Sequence, residues 1–266
     1  MNRMSLRSTL FCGFALILAV ATQAGAQDFQ KTYPLTNGGT VSIKNVSGDV
    51  NIKGYDGPGV AVAVYKEGTD RDKVDVEDLS SGNMVDLKAR YPENCNCNAS
   101  LRFEVSIPRS LNIAVDKVKI ASGNVNVEGV NGRIAIQTAS GDVKVENVNG
   151  DVDASTASGE VNVKNVAGAV NASSASGNVE AEIARLEGSR NMKFSSASGD
   201  VRVKLPANID ADIRMSTSTG SINTDFPIEI HKHEYGPGSD AKGRLGSGAR
   251  SIQISTATGD VSLTHQ

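Results

Sequence analysis

The sequence predicts an all-β fold: a β-solenoid of the parallel β-helix or β-roll kind, with about 18 residues in each coil. Three observations predict it. The pattern Ala-Ser-Gly, then Asn, Asp or Glu, then Val recurs every 18 residues, with its serines at Ser122, Ser140, Ser158 and Ser176. Glycine recurs at nine-residue intervals, and apolar residues alternate with polar ones inside each interval. A fixed period of this kind is the signature of a repeat architecture.

The composition favours thin layers of small side chains over one thick core. The 266 residues include no tryptophan, and aromatic residues make up only 4% of the chain. Glycine, valine, serine, alanine and asparagine are abundant instead. This composition again indicates a repeat fold, because a conventional globular core relies more on large side chains.

Each nine-residue unit is predicted to be one strand and one turn, with glycine at the corner. A tight corner often needs a positive φ angle, which glycine adopts without steric cost. The serine that precedes it can hydrogen-bond to the neighbouring backbone. The predicted structural turns are at Gly123, Gly132, Gly141, Gly150, Gly159, Gly168, Gly177 and Gly199.

The alternation inside each unit predicts which side chains face the core. Val143 and Val145 are expected to point inward and Lys144 outward, the pattern of a half-buried strand. A single unit is too short to bury its valine face alone. Two units close one flattened coil, and equivalent positions on successive coils then lie about 4.8 Å apart.

Stacking of coils predicts ladders of identical or similar side chains. Valine is expected to lie on valine inside the solenoid. At the turns, Thr138, Thr156 and Ser174 should stack on one another, and Asn147 should stack on Asn165. These are predicted to be small polar ladders.

The mature chain, residues 27–266, is predicted to be a single domain. Residues 27–120 are predicted to form an irregular amino-terminal β cap with longer strands, one of them at 111–115. Residues 121–266 are predicted to form the regular coils. A loop insertion is expected at 231–250, where glycine and charged residues accumulate before a final strand pair closes the chain. Irregular ends protect open strand edges from pairing with other chains.

The first 26 residues predict a cleavable signal peptide. Arg3 and Arg7 precede an apolar run at 10–21, and small residues follow at 24–26. The apolar run is shorter than the roughly 20 residues that a membrane-spanning helix needs. We therefore expect export to the periplasm, the cell surface or the medium, with no integral membrane segment after cleavage.

The charge balance argues against polyanionic partners such as nucleic acid. The chain has 27 basic and 30 acidic side chains, and cleavage would remove Arg3 and Arg7. The mature chain would therefore carry 25 basic and 30 acidic side chains, a formal charge of −5. It also has no long basic run.

Several segments together resemble a family. These are the stretch at 48–56 (GDVNIKGYD), the Ser-Gly-Asp/Asn-Val turns, the stretch at 103–108 (FEVSIP) and the closing stretch at 258–263 (TGDVSL). The chain resembles the bacterial family of β-strand-repeat domains of unknown function described as putative adhesins. The resemblance implies a solenoid of exported or envelope-associated character, and some relatives occur in envelope-stress contexts. It implies no catalytic residues.

A calcium-loaded nonapeptide roll would share the nine-residue period. Such a roll needs an aspartate at a fixed place on every turn, so that carboxylates and carbonyls bind each ion. Here the position after the glycine holds Asn124, Asp142 or Glu160 in some turns but Arg133 or Ala169 in others. We therefore expect no calcium and no other cofactor.

A glycan-active β-helix enzyme is the least favoured interpretation. It would need carboxylates clustered in a cleft. The outward acids are instead scattered over successive coils and interleaved with lysines, which is typical of a solvated face. These acids are Glu128, Asp142, Glu146, Asp153 and Glu160.

Two short motifs offer side chains for a metal or redox site. His231, His233 and Glu234 would offer two imidazoles and a carboxylate, but a metal site would need distant help, and an exposed loop is the simpler interpretation. Cys95 and Cys97 are predicted to form a local disulfide in an oxidising compartment, with intermolecular pairing and soft-metal binding as alternatives.

The sequence thus predicts a non-catalytic, exported cell-envelope protein. The favoured function is an adhesin or binding scaffold that presents a repetitive β surface to an envelope protein or polysaccharide. The alternative is an envelope-stress or regulatory protein that acts through its end loops, namely the Cys95–Cys97 loop and residues 231–250.

Overall fold

The computed structural model describes residues 28–232 and 236–266. The predicted signal peptide, residues 1–26, lies outside the described residues, as do His233 and Glu234. The described chain forms two sheets of 11 and 12 strands. In the central region, successive strands alternate between the sheets and run parallel to their neighbours within each sheet. The predicted β-solenoid is therefore confirmed.

Residues 28–122 contain eight strands and one short 3-10 turn at Arg71–Lys73. The strands are β1 (Phe29–Tyr33), β2 (Thr40–Ser47), β3 (Val50–Tyr55), β4 (Val60–Glu67), β5 (Asp75–Asp78), β6 (Met84–Arg90), β7 (Ser100–Pro108) and β8 (Ala114–Ser122).

Residues 123–210 contain the nine strands of the regular coils. These are β9 (Val125–Glu128), β10 (Ile134–Ser140), β11 (Val143–Asn149), β12 (Val152–Ser158), β13 (Val161–Ala167), β14 (Val170–Ser176), β15 (Val179–Arg185), β16 (Met192–Ser198) and β17 (Val201–Leu205).

The described residues after 210 add six strands. These are β18 (Ala211–Thr219), β19 (Ile222–Thr224), β20 (Glu229–Lys232), β21 (Ser239–Leu245), β22 (Ser251–Thr258) and β23 (Val261–His265). The first sheet has the order β1-β4-β7-β3-β9-β11-β13-β15-β17-β23-β19. The second has the order β20-β21-β18-β22-β16-β14-β12-β10-β8-β2-β6-β5.

The register of the central coils follows the 18-residue repeat. Val143 on β11 is aligned with Val161 on β13, and Thr138 on β10 with Thr156 on β12. The hydrophobic residues of both sheets form one continuous buried cluster. Its largest fully buried side chains include Phe103 and Phe194. Valine therefore stacks on valine as predicted, and the sparse aromatic residues add bulk where the coils need it.

The parallel stack begins earlier in the chain than the sequence predicted. β2 and β3 pair in parallel with β8 and β9, and β6 and β7 pair in parallel on the other side of β2 and β3. Within residues 28–120, the predicted cap thus mixes parallel strands with three that pair only antiparallel, namely β1, β4 and β5. Asp49 and its stacked counterpart Asn124 are 75 residues apart, so a search for an 18-residue period does not find this pairing.

The predicted strand at 111–115 was wrong in its position. The N–H of Leu111 donates to the carbonyl of Pro108 in a turn, and β8 begins only at Ala114. The register of β8 also shifts between Val115 and Val118. A bulge of this kind inserts extra residues into one strand, which breaks the alternation that the prediction relied on.

The carboxyl end of the chain is inserted into the stack and does not terminate it. β22 lies between β16 and β18, and β23 lies between β17 and β19. The predicted final strand pair exists, but the coil formed by residues 211–224 lies outside it.

The predicted loop at 231–250 was wrong in part, because it contains β21. This strand pairs antiparallel with both β18 and β20 and covers one end of the second sheet. Its buried positions include Ser239 and Ala241, whose small side chains give no clear apolar period in the sequence. Within the described residues, no helix is long and apolar enough to cross a membrane.

Candidate functional site

The predicted turn glycines lie at the corners of the coils, where backbones approach closely. Gly141 and Gly159 have φ angles of 138° and 142°, which side chains other than glycine rarely adopt. A Cβ atom on Gly159 would overlap the carbonyl oxygen of Gly141 in the coil below. The same conformation, with φ between 128° and 156°, occurs at Gly123, Gly132, Gly141, Gly150, Gly159, Gly168, Gly177 and Gly199.

The residue after the corner glycine has a structural role that the sequence analysis missed. Oδ1 of Asn124 accepts a 2.9 Å hydrogen bond from the N–H of Asp142, and Oδ1 of Asp142 accepts one of 2.8 Å from the N–H of Glu160. The ladder continues where Asn178 accepts from Asp200 at 2.9 Å. Its signal was the preference for Asp or Asn at this position, since these short side chains readily bond to nearby backbone.

A second ladder consists of buried hydroxyl groups behind the corners. Thr156 donates to the carbonyl of Gly141 at 3.0 Å, and Ser174 donates to the carbonyl of Gly159 at 2.9 Å. Asn165 donates to Asn147 at 2.6 Å in a third, exposed ladder. The corner side chains thus bond to the next coil. In residues 28–232 and 236–266, no group of three or more His, Cys, Asp or Glu side chains is arranged to hold a metal ion.

The acids weighed for an enzyme do not all lie on one surface, although Glu128 and Glu146 are aligned and line one shallow depression of the first sheet. Glu146 faces outward from the first sheet and pairs with Lys144 at 3.1 Å. Asp153 faces outward from the second sheet and pairs with Arg133 at 2.7 Å. The structure therefore does not bring these two carboxylates into one cleft.

The structure describes the cysteine motif in full but the histidine motif only in part. The sulfur atoms of Cys95 and Cys97 are bonded, and their Cα atoms are 5.1 Å apart. His231 lies on β20 with its ring 3.9 Å from the carboxylate of Glu229 and is largely exposed. His233 and Glu234 fall outside the described residues, so the structure does not test that group as a metal site.

The two end loops that the alternative function would use for regulatory contacts lie at opposite ends of the solenoid. The Cys95–Cys97 loop connects β6 to β7. These two strands lie toward the amino-terminal end of the stack, beyond β2 and β3. The β20–β21 hairpin covers the other end of the second sheet. The two loops therefore do not form one contact surface.

The outer face of the second sheet carries a row of aligned polar side chains that the sequence analysis did not identify. One outward residue from each of ten neighbouring strands contributes to it. We call this set the polar row; in order across the sheet it consists of Lys88, Lys44, Lys119, Gln137, Ser155, Ser173, Ser195, Ser255, Ser216 and Asp240.

Two shallow depressions flank the middle of the polar row. Lys119, Gln137, Ser155 and Ser173 contribute to both, and the depressions have volumes of about 500 and 740 Å³. The larger depression is also lined by exposed alanines, and the smaller by a mixture of small and charged side chains. The alanines are Ala121, Ala139, Ala157 and Ala175.

The depressions exist because the repeat places small side chains at these outward positions. The outer face of the first sheet is different, because it carries longer charged side chains at equivalent depth. There Lys144 lies 3.1 Å from Glu146, and Lys164 lies 3.8 Å from Glu180. The repeat thus gives the solenoid one charge-mixed face and one face on which the two depressions form an open trough. Lys119, Gln137, Ser155 and Ser173 line the middle of this trough.

Ion pairs neutralise the acids near the trough. Asp116 lies 3.8 Å from Lys117, and Asp153 lies 2.7 Å from Arg133. At the adjoining corner, burial alone would raise the pKa of Asp151. Hydrogen bonds from the N–H of Ala169 and from Arg190 outweigh burial and lower this pKa below its ordinary value. The carboxylate of Asp151 is thus charged and hydrogen-bonded at neutral pH.

The parallel stacking of short, equivalent coils places this chain among the β-solenoid repeat proteins. The chain belongs to the Toastrack DUF4097 family, whose model matches residues 21–264. The family resemblance read from the sequence is therefore confirmed.

Two solved structures are similar to this chain in fold. A putative adhesin from Bacteroides fragilis NCTC 9343 is 14% identical, with a TM-score of 0.46, and the match covers 88% of this chain and 96% of that one. A putative cell adhesion protein from Clostridium sporogenes ATCC 15579 is 13% identical, with a TM-score of 0.34, covering 90% of this chain and 99% of that one. No curated protein matches this chain.

Proposed function

We propose that this protein is a non-enzymatic binding protein of the cell envelope, which holds a polymer or a partner protein along the polar row. The observation that carries the proposal is the alignment of ten outward polar residues across neighbouring strands of one sheet. Adjacent strands lie about 4.8 Å apart, so the row offers hydrogen-bonding groups at a constant short spacing. An extended ligand can meet such a surface repeatedly.

The surroundings of the row support binding over catalysis. Ser155 and Ser173 are partly exposed, and the alanines beside them leave room for a ligand to approach the backbone. The neighbouring acids are held in ion pairs and corner hydrogen bonds, which suits a structural role. The signal peptide predicted from residues 1–26 would deliver the protein to the envelope, where such a ligand is encountered.

A matched pair of substitutions tests the proposal. Ser155→Trp would fill the trough, whereas Ser262→Trp places the same side chain on the outer face of the first sheet. Both serines are partly exposed. The wild-type protein and both variants are immobilised and exposed to an envelope extract from the producing cells, and bound protein and glycan are quantified.

We expect the wild type and Ser262→Trp to retain the same amount of ligand. Ser155→Trp should retain at least tenfold less. Equal retention by all three proteins would overturn the assignment of binding to the trough. Retention no higher than that of an unrelated β-solenoid would overturn the binding function itself.

A further inference from the structure

Three lysines at one end of the polar row are stacked without acids between them. Lys88 on β6 is aligned with Lys44 on β2, and Lys44 is aligned with Lys119 on β8. All three are exposed. Neighbouring strands place these side chains about 4.8 Å apart, and like charges in such positions destabilise a sheet. The arrangement is therefore costly for the free protein.

The acids near this lysine ladder form no ion pair with it. Within residues 28–232 and 236–266, none of the three lysines takes part in an ion pair. Glu77, opposite Lys88, lies 3.7 Å from Arg90, and Asp116 lies 3.8 Å from Lys117. Asp86 lies two residues from Lys88, but its Oδ1 atom is buried and makes no hydrogen bond among the described residues. Three positive charges therefore remain available to a ligand.

One further lysine lies beside the polar row. Lys193 lines the smaller depression, is aligned with Asn171 on β14, and makes no ion pair within the described residues. The acids that also line this depression, Asp116 and Asp153, are paired with Lys117 and Arg133.

In the row of the ladder itself, Lys119 is followed by Gln137, Ser155 and Ser173, whose amide and hydroxyl groups can donate and accept hydrogen bonds. A ligand that follows the solenoid axis would thus meet cationic groups first and then groups suited to hydroxyls.

We propose that the ligand of the polar row is a linear acidic polysaccharide, with carboxylates at Lys88, Lys44 and Lys119 and sugar hydroxyls at the serines beyond. This inference rests on the proposed function and adds the chemical class of the ligand. Exposed lysines attract anionic groups through charge complementarity, and the attraction weakens as salt screens it.

The side chains of the trough favour a polysaccharide over a nucleic acid. Single-stranded nucleic acids bind with their bases stacked on aromatic side chains. The outward positions of β8, β10, β12, β14 and β16 carry no aromatic residue, since Phe194 on β16 is fully buried. The same lack of stacking surfaces leaves charge as the main source of affinity for a sugar polymer.

The test measures binding of purified protein to four defined probes at low and at physiological salt. Polygalacturonate is a linear carboxylated polysaccharide, and dextran is an uncharged one. Oligo-dT and phosphatidylglycerol vesicles provide other anionic surfaces. The variant Lys44→Gln/Lys88→Gln/Lys119→Gln removes the ladder. The control Lys144→Gln removes an exposed lysine from the other face. Thermal unfolding verifies that both variants fold.

We expect the wild type and Lys144→Gln to bind polygalacturonate at low salt at least tenfold more tightly than dextran, oligo-dT or the vesicles. The triple variant should lose at least tenfold in affinity, and physiological salt should weaken wild-type binding. Equal binding of polygalacturonate by the triple variant would overturn the inference, as would undetectable binding by the wild type.

Preference for oligo-dT or for the vesicles would overturn the polysaccharide assignment. The failure of this inference can be distinguished from failure of the proposed function. If Ser155→Trp abolishes retention of an envelope ligand while the triple lysine variant retains it, the trough binds and only its assignment to an acidic polysaccharide is wrong.

Discussion

The carboxylate of Asp78 accepts a 2.6 Å hydrogen bond from the Nζ atom of Lys31, and this ion pair joins the edge strands of the two sheets. Lys31 lies on β1, the edge of the first sheet, and Asp78 ends β5, the edge of the second. The hydroxyl of Tyr33 on β1 donates to the same carboxylate at 3.0 Å. One carboxylate therefore connects the two sheets across the amino-terminal end of the solenoid.

Replacing Asp78 with Asn should make this end less stable in a pH-dependent way. Burial alone would raise the pKa of Asp78, but hydrogen bonds from Lys31, Ser80 and Tyr33 outweigh it and hold this pKa well below its ordinary value. A pKa lowered in the folded state stabilises the protein above the unfolded pKa, about 3.9. That stability is lost as the pH falls through the lower folded value.

We therefore expect Asp78→Asn to lower the thermal midpoint by several degrees at pH 7, and the difference from the wild type to shrink as the pH falls below about 4. Circular dichroism melts between pH 7 and pH 2 measure this. Asp72→Asn is the control, because the Asp72 side chain is 95% exposed and 3.9 Å from its partner Arg71. A difference that stays constant over the whole pH range would contradict the assignment.

A charge placed inside the coil should be far more harmful than a charge removed outside it. Val161 is buried and stacked between Val143 and Val179, so Val161→Asp leaves a carboxylate without a partner in the core. We expect a loss of several kcal/mol in the free energy of unfolding, or failure to fold. Lys144→Ala on the exposed face should cost under about 0.5 kcal/mol. Denaturant unfolding of the two variants measures both losses, and equal losses would refute the assignment of inward and outward faces.

Alanine should be tolerated differently at two glycines. Gly159→Ala would force an alanine to a φ of 142° and drive its Cβ into the carbonyl of Gly141. Gly188 has a φ of 69°, and a Cβ there would meet nothing within 4 Å. We expect Gly188→Ala to cost about 1 kcal/mol and Gly159→Ala at least twice as much. Equal urea midpoints for the two variants would show that the close approach between coils at Gly159 does not contribute to the loss of stability.

The state of the cysteines can be measured by counting thiols. The structure bonds Cys95 to Cys97, and the predicted mature chain has no other cysteine because Cys12 lies in the signal peptide. Denatured, unreduced protein isolated after export should show no free thiol, and reduction should reveal two. Cys95→Ser should show one thiol without reduction. Two free thiols in the unreduced wild type would contradict the local disulfide.

The fold of the central region could be predicted because its repeat is both local and regular. Every coil between Ser122 and Ser176 repeats the Ala-Ser-Gly corner and the inward apolar positions 18 residues later, so the register could be read directly. The ends could not be read in this way. β2 and β8 pair although a long stretch of chain separates them, and β22 follows β18 in the chain but lies between β16 and β18 in the sheet. A search for a fixed period detects neither arrangement, because the sequence separation between the paired strands depends on the length of the chain that connects them.

The polar row escaped prediction for a different reason. Its members are adjacent only across strands, and their identity changes from lysine to glutamine to serine along the sheet. Ser155 and Lys119 therefore share no motif in the sequence. The corner preference for Asp or Asn was visible, but its role required knowing that Asn124 Oδ1 meets the N–H of Asp142.

The buried hydroxyl ladder should contribute to stability one hydrogen bond at a time. Thr156 donates to the carbonyl of Gly141 at 3.0 Å, and valine has nearly the same shape without the donor. We expect Thr156→Val to lower the free energy of unfolding by about 1 kcal/mol, the usual net value of one such bond. Thr138→Val should cost less, because the Thr138 hydroxyl lies 3.4 Å from the carbonyl of Gly123 and 3.3 Å from that of Ser140.

Ser155→Ala separates this stabilising role from the proposed binding role. Ser155 is adjacent to Thr156 but faces the trough, and its hydroxyl donates a long 3.4 Å hydrogen bond to the carbonyl of Ile136. Its loss should change stability by less than about 0.5 kcal/mol. Urea unfolding of the three variants gives the comparison. If Thr156→Val were as stable as Ser155→Ala, the buried hydroxyls would fill space in the coil without strengthening the contact between coils.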